Sequence, residues 1–229
     1  MKKVIATAAV LAVIACALTA YCRAGGQDGP ENAVAETVSE PQVKHAAPGG
    51  KILVAYFSVP ETDGIDASSG ASRVVSGGKV MGNTQYVASI ISEATGGDLF
   101  EIRTVRAYPG SHKELIDAAK VENDGNARPK LASHIESLED YGTVFVGFPN
   151  WWYDMPMPLY SFFDEYDFGG KTVIPFCTHG GSRFSGAIET VRKMESEANV
   201  LDGYAIARDR VAESKDGVLK WLEKIGLKR

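Results

Sequence analysis

The sequence predicts an α/β protein in which five parallel strands form a sheet between two layers of helices, a three-layer, doubly wound arrangement. From residue 51 onward, short apolar runs alternate with helical stretches, which is the pattern of such folds. The first apolar run is almost unbroken, as expected of a strand buried on both faces. The chain has 229 residues, 45% of them apolar and 23% charged, and this suits one soluble domain of ordinary size.

Five segments have the pattern of strands. The second alternates between apolar and polar residues, the third is stopped by Pro149, and the fifth is interrupted by Gly203. The strands are predicted at residues 51–57, 98–103, 143–148, 171–177 and 200–207.

Helical stretches follow the strands and are predicted to cover both faces of the sheet, because crossovers between parallel strands are right-handed. Ser111, with Glu114 three residues later, predicts a capping box at the start of the second helix. The helices are predicted at residues 83–94, 111–121, 156–163, 188–198 and 211–225. With strand order 2-1-3-4-5, a ligand is expected beyond the carboxyl ends of the first, third and fourth strands.

The N-terminal residues 1–22 predict an export signal. Lys2 and Lys3 precede an apolar run from 4 to 20, which favours a secretory signal peptide over an uncleaved anchor. Cys16 and Cys22 are both candidates for lipid attachment, and a soluble exported product is the alternative. Residues 23–50 are polar and lack periodicity, so they predict a disordered linker before a folded domain at 51–229. The protein is therefore expected in the periplasm or at the cell surface, with possible membrane attachment through its N-terminus.

Charge and cysteine content exclude two classes of function. The formal charge is −5 and no basic cluster is present, so nucleic acid is not an expected partner, whereas a basic redox protein is compatible. Cys177 is the one cysteine of the predicted domain, which excludes a disulfide framework there and favours a buried packing thiol. No metal site is predicted.

The loop after the first strand has the residues of a phosphate site. Ser58 ends the strand, and Gly82, Asn83 and Thr84 open the next helix, where unpaired N–H groups and short hydroxyl side chains suit a phosphate. A simple helix cap is the alternative.

A long insertion, residues 59–80, separates these two parts of the loop. Its length without evident secondary structure favours a lid over the ligand or a disordered excursion. Gly77-Gly78-Lys79 is not a nucleoside-triphosphate motif, because no Ser or Thr follows the lysine and Arg73 occupies the position of the required glycine.

The loops after the third and fourth strands predict contacts to a planar ring. Adjacent tryptophans cannot both point into the core, so at least one of Trp151 and Trp152 should lie over a flat ligand such as a flavin or face solvent. A hydrophobic rim for packing or dimerisation is the alternative. In the later loop, His179 is a candidate to hydrogen-bond the ligand or to protonate a reduced acceptor, unless backbone groups satisfy it. Arg183 is a candidate to offset negative charge, or a solvated arginine.

Taken in order, the three loops resemble those of the flavodoxin family, in particular the bacterial group with a Trp-Trp second loop and a Thr-His-Gly-Gly third loop. The similar stretches are residues 53–58, 82–88, 98–102, 147–152, 167–171 and 175–181. The resemblance implies FMN, with its phosphate at Ser58, Gly82, Asn83 and Thr84. It implies ring contacts at Pro149, Asn150, Trp151, Trp152, Thr178, His179, Gly180 and Gly181. The insertion at 59–80 and the export signal depart from the family pattern.

This resemblance implies electron transfer or reduction of small acceptors such as quinones, with His179 as the candidate catalytic residue and a redox protein or small molecule as partner. A surface-tethered binding module without cofactor chemistry is the alternative. A hydrolase using Ser182 and His179 is a third class, but Phe184 stands where its serine motif requires glycine.

Overall fold

The computed structural model describes residues 49–62 and 72–229, which form a sheet with helices on both faces. The predicted export signal lies outside the described residues, as do all but the last two residues of the predicted linker. The strands are β1 (Lys51–Tyr56), β2 (Arg73–Ser76), β3 (Lys79–Gly82), β4 (Asp98–Glu101), β5 (Tyr141–Pro149), β6 (Thr172–His179), β7 (Asn199–Val200) and β8 (Tyr204–Ala207). The helices are α1 (Asn83–Thr95), α2 (His112–Asp124), α3 (Met157–Glu165), α4 (Ala187–Met194) and α5 (Lys215–Lys224), with 3-10 segments at Leu138–Asp140 and Arg208–Glu213. Within this described part of the chain, no helix has both the length and the apolar character needed to span a membrane.

The main sheet is parallel throughout and runs in the order β4-β1-β5-β6, with β7 and β8 both paired to the outer side of β6. Its six strands therefore fill five positions. When the five positions are numbered in the order in which the chain fills them, the order across the sheet is 2-1-3-4-5, and the predicted fold class is confirmed. The carboxyl ends of β1, β5 and β6 lie side by side at one edge of the sheet.

The fifth position is split because of Pro175 in β6 and Gly203 between β7 and β8. Pro175 has no N–H and cannot complete the hydrogen-bond ladder toward its neighbour. Gly203 adopts φ 74°, and a Cβ there would lie 2.1 Å from the Pro175 carbonyl oxygen. The interruption expected from the glycine is therefore real, and it lies opposite the proline.

Two apolar cores fill the spaces on either side of the sheet. On one face, β1, β5 and β6 pack against α1 and α5, with Phe145 and Phe176 fully buried. On the other face the sheet packs against α3 and α4, where Phe148 and Phe162 are fully buried. These cores hold the strand ends in fixed positions relative to one another.

The insertion differs from the prediction of a structureless loop. Its second half, β2 and β3, is an antiparallel hairpin that pairs Val75 with Val80. Gly77 and Gly78 form its two-residue turn with φ 57° and 77°, the positive values that a type I′ turn requires. These glycines therefore serve a hairpin turn. Residues 63–71 lie outside the described part, and the lid prediction falls partly on them.

Three helix predictions need correction. The Ser111 hydroxyl donates to the Glu114 carboxylate at 2.7 Å, so the two side chains bond to each other and form no capping box. The fourth helix ends at Met194 because a turn follows, in which the Ala198 N–H donates to the Glu195 carbonyl. The predicted last helix is divided by Ser214, whose hydroxyl donates to the Val211 carbonyl at 2.8 Å.

Candidate functional site

A cleft lies at the carboxyl ends of β1, β5 and β6 and brings the three predicted loops together. The empty space in it, including the solvent at its open mouth, is about 790 Å³. Nine predicted site residues line it: Ser58, Thr84, Pro149, Asn150, Trp151, Trp152, Thr178, His179 and Gly180. The other three, Gly82, Asn83 and Gly181, lie within two positions of lining residues but are not among those that line the cleft.

At the first loop, Ser58 packs directly against the start of α1. A Cβ on Gly82 would lie 2.0 Å from Ser58 Oγ. Position 82 therefore requires glycine because the Ser58 side chain approaches it so closely. Two backbone donors at the helix start already have partners: Gly82 N–H donates to Gln85 Oε1 at 3.2 Å and Asn83 N–H to the Ser72 carbonyl at 2.8 Å. The hydroxyls of Ser58 and Thr84 are therefore the side-chain donors that this end presents to the cleft.

A buried hydrogen bond joins the first loop to the third. Thr84 Oγ1 and Thr178 Oγ1 lie 2.9 Å apart, and both residues are buried. Each hydroxyl has one proton, so whichever one donates across the pair, the other keeps an O–H that can donate to a ligand. The pair thus fixes the helix start relative to the end of β6 and offers one donor beside it.

The second loop is a tight turn with unusual backbone geometry. Trp151 and Asp154 exchange two backbone hydrogen bonds of 2.9 and 3.1 Å, and Trp152 and Tyr153 between them have φ 52° and 66°. This is the type I′ pattern, normally occupied by Asn-Gly, and bulky residues in it carry strain. Asp154 holds the turn, because its carboxylate accepts from the Met155 N–H at 2.8 Å and from the Tyr160 hydroxyl at 2.7 Å.

The turn places its two tryptophans differently. Trp151 is half-buried and packs edge-on against Phe57 and Tyr108, with both pairs of ring centroids 5.4 Å apart. Trp152 is 44% exposed, as predicted for at least one of the pair. Its indole N–H donates to the Ile116 carbonyl at 3.1 Å, and the Lys120 ammonium lies over its ring. The two rings are thereby fixed at the rim of the cleft.

The third loop holds its histidine by a backbone hydrogen bond. The Gly181 N–H donates to His179 Nδ1 at 2.9 Å, which leaves the proton of the neutral ring on Nε2. Burial lowers the pKa of His179, and the charge of Arg183 lowers it further, although Asp209 opposes this. The His179 ring therefore accepts a backbone hydrogen bond and also lines the cleft, and it is a neutral donor near pH 7.

Loops two and three are also joined. The Asn150 N–H donates to the Thr178 carbonyl at 2.8 Å, and its side-chain amide donates to the Arg183 carbonyl at 2.9 Å. Arg183 does not line the cleft, and the arginine that does is Arg208, directly after β8. A Cβ on Gly180 would lie 3.2 Å from an Arg208 guanidinium nitrogen. Arg208 was not predicted from the sequence, although its position at the carboxyl end of a strand could have indicated it.

One wall of the cleft comes mainly from α2, which was not predicted to contribute to the site. Leu115, Ile116 and Ala119 of α2 line it, together with Glu61 and His112. The apolar residues of an amphipathic helix are ordinarily assigned to the core, and no motif marks a glutamate within an insertion. These five residues form the α2 wall.

Two further expectations concern reactive groups. Burial raises the pKa of Cys177 to about 12, so the thiol stays protonated, as expected of a packing residue. Ser182 is not among the residues that line the cleft. In the described ranges, no cluster of His, Cys, Asp and Glu side chains is suited to hold a metal ion.

Comparisons with known proteins agree on the fold. A family model described as flavodoxin matches residues 72–225. A candidate flavoprotein from Bacteroides uniformis is 30% identical, with a TM-score of 0.60, over 77% of this chain and 99% of its own. Another from Bacteroides eggerthii is 28% identical, with a TM-score of 0.60, over 79% of this chain and 100% of its own.

A more distant structure, a Lactobacillus acidophilus flavoprotein in complex with FMN, is 18% identical with a TM-score of 0.50. It aligns over 73% of this chain and 99% of its own. No curated protein matches the chain.

Proposed function

Because the chain belongs to the flavodoxin family, we propose that it binds one FMN in the cleft and serves in electron transfer or in the reduction of small acceptors such as quinones. One observation carries the proposal: the loops after β1, β5 and β6 converge on a single cleft, and hydrogen bonds through Thr178 join all three. When bound, FMN would supply reversible one- and two-electron chemistry. The FMN-bound Lactobacillus protein supports this cofactor.

The first loop fits the phosphate of FMN. Ser58 and Thr84 present hydroxyl groups at the start of α1, where the helix dipole favours a negative charge. The guanidinium of Arg208, beside Gly180 of the third loop, adds a full positive charge to the same cleft. Hydroxyl donors, a helix start and a cation together match a phosphate ester better than they match an uncharged ligand.

The second and third loops fit a flat ring. Trp151 and Trp152 supply aromatic surface that is fixed by neighbouring side chains, so little conformational entropy is lost on binding. Gly180 allows backbone groups to approach a ring edge. These residues orient the ring and exclude water from one side of it.

His179 is proposed to hold a proton for the reaction. Its Nδ1 is occupied by the Gly181 N–H, so Nε2 is the atom that can donate to the ring or to an acceptor. Because the pKa of His179 is lowered, the neutral ring dominates at pH 7, and Nε2 donates a hydrogen bond from an uncharged imidazole rather than from an imidazolium.

We also propose that the protein is exported and tethered at its N-terminus. The positive start at Lys2 and Lys3, the apolar run after it and two nearby cysteines support this. Fractionation of cells that express the full chain, followed by mass measurement of the N-terminal peptide, tests it. An intact N-terminus in the cytoplasmic fraction contradicts export.

The experiment for the main proposal is FMN titration of the purified full-length protein, read by absorption after desalting. Retained flavin bands and a Kd in the micromolar range or below are expected. The chain has three tryptophans, and Trp221 lies outside the cleft, stacked on Tyr204. Trp152→Ala should weaken FMN binding about tenfold, since aromatic contact contributes on the order of 1 kcal/mol beyond area burial.

Trp221→Phe is the matched control and should leave the FMN affinity unchanged. Folded protein that retains no flavin contradicts the proposal and favours the binding-module alternative.

A further inference from the structure

The α2 wall contains a buried carboxylate that the proposed cofactor contacts do not use. Glu61 is 3% exposed, and its Oε1 lies 2.5 Å from His112 Nδ1. Its other oxygen, Oε2, is buried and has no hydrogen-bond partner in the described part of the chain. A buried carboxylate oxygen is costly to leave without a donor, so this atom marks a place where a ligand donor would be stabilised.

The backbone holds Glu61 in this position. Its N–H donates to Ser72 Oγ at 2.8 Å, and its carbonyl accepts from the Arg73 guanidinium at 2.7 Å. Together with His112 these contacts fix the residue from three directions. The carboxylate is therefore preorganised rather than free to turn toward solvent.

The surface beside Glu61 is apolar. Leu115, Ile116 and Ala119 follow one another along the α2 wall, and Trp152 is attached to the same helix by its hydrogen bond to Ile116. A ligand that fills this part of the cleft would need an apolar, flat body and one hydrogen-bond donor at its Glu61 end. A phosphate does not suit it, because two anions would repel each other there.

We propose that Glu61, held by His112, binds the hydroxyl group of a second ligand, an aromatic hydroxyl compound that lies along the α2 wall beside the cofactor. Reduced quinones belong to this chemical class. The inference rests on the proposed function, since the second ligand is the small acceptor in its reduced form. A ribityl hydroxyl of FMN has the same donor chemistry, and the experiment separates the two sources.

The test compares 2-naphthol with 2-methoxynaphthalene, which has a similar aromatic body but no donor. Equilibrium dialysis against the full-length protein, with and without FMN, gives both affinities. Wild type is expected to prefer 2-naphthol by about tenfold or more, the effect of a hydrogen bond to a charged group. Glu61→Gln keeps the side-chain volume and should reduce the preference to about threefold or less.

Glu139→Gln, an exposed carboxylate in the 3-10 segment Leu138–Asp140, is the matched control and should keep the wild-type preference. Equal binding of both compounds by wild type overturns the inference and needs no variant. An unchanged preference in Glu61→Gln, with thermal unfolding showing an intact fold, also overturns it.

FMN titration of the same proteins distinguishes the sources. If Glu61 binds the second ligand, Glu61→Gln should bind FMN as wild type does. Weaker FMN binding with an unchanged naphthol preference would assign Glu61 to the ribityl chain and contradict the second ligand. A wild type that binds no FMN defeats the proposed function instead, and the naphthol comparison can still be read on that protein.

Discussion

Removing the hydroxyl of Thr178 should destabilise the apoprotein, because Thr84 would then lose a buried partner at 2.9 Å. Valine keeps the shape of threonine, so the change is mainly the lost hydrogen bond. An unsatisfied buried hydroxyl costs about 1–3 kcal/mol, so Thr178→Val and Thr84→Val should each lower the free energy of unfolding by about 1–2 kcal/mol. For a domain of this size, 1 kcal/mol corresponds to about 2–4 °C in Tm.

The double variant distinguishes this reasoning from a general loss of packing. With both hydroxyls removed, no polar group is left without its partner, so the loss should be smaller than the sum of the single losses by about 1 kcal/mol. Urea unfolding followed by circular dichroism measures all three variants. Thr104→Val is the control, because that hydroxyl bonds the Arg106 carbonyl at an exposed site, and its effect should stay within about 0.5 kcal/mol. Strictly additive losses would refute the Thr84–Thr178 coupling.

Three further predictions follow from single residues. Because the pKa of His179 is lowered in the folded protein, the unfolded chain binds a proton there more readily, and stability should fall as the pH drops below 6.5. His179→Gln should reduce the dependence of Tm on pH in this range. An unchanged dependence would contradict the assignment. Cys177, with a pKa of about 12, should resist iodoacetamide at pH 8 in the native protein and react after unfolding. Peptide mass mapping measures the labelling. Rapid labelling of the native protein would contradict this prediction, because it would show that the thiol is accessible. Gly203→Ala should lower the free energy of unfolding by at least about 2 kcal/mol, because it adds the clash with Pro175 to the cost of a positive φ. Gly170→Ala, at φ 72° with open space around it, carries the φ cost alone, and equal losses for both would disprove the clash.

The sequence was sufficient for the sheet and for the three loops. Apolar runs define buried strands, and in a doubly wound sheet the residues after such strands must meet at the carboxyl edge. Ser58, Asn150 and Thr178 could therefore be assigned to one site before any coordinates. The place of the fifth strand beside β6 was also predicted, as one strand interrupted at Gly203, and the structure divides it into β7 and β8.

Other parts of the site depend on contacts that local sequence does not encode. Glu61 and His112 are 51 positions apart, and their pairing depends on how the insertion lies against α2. The positive φ angles of Trp152 and Tyr153 run against the preferences of bulky residues, so turn propensities could not predict them. Arg208 lines the cleft and Arg183 does not, because the local sequence does not encode the direction of a side chain after the last strand.

The division of the fifth sheet position into β7 and β8 also affects how the molecule behaves toward its own copies. A strand at the margin of a sheet presents unpaired N–H and C=O groups that can template a strand from another chain, and long, regular margins promote aggregation. Here Gly203 breaks that margin into two short pieces. At the opposite margin β4 has only four residues and carries Asp98 and Glu101. Neither side of the sheet therefore offers a long continuous ladder, and the proline and glycine that interrupt pairing within the fold also protect the protein from edge-to-edge assembly.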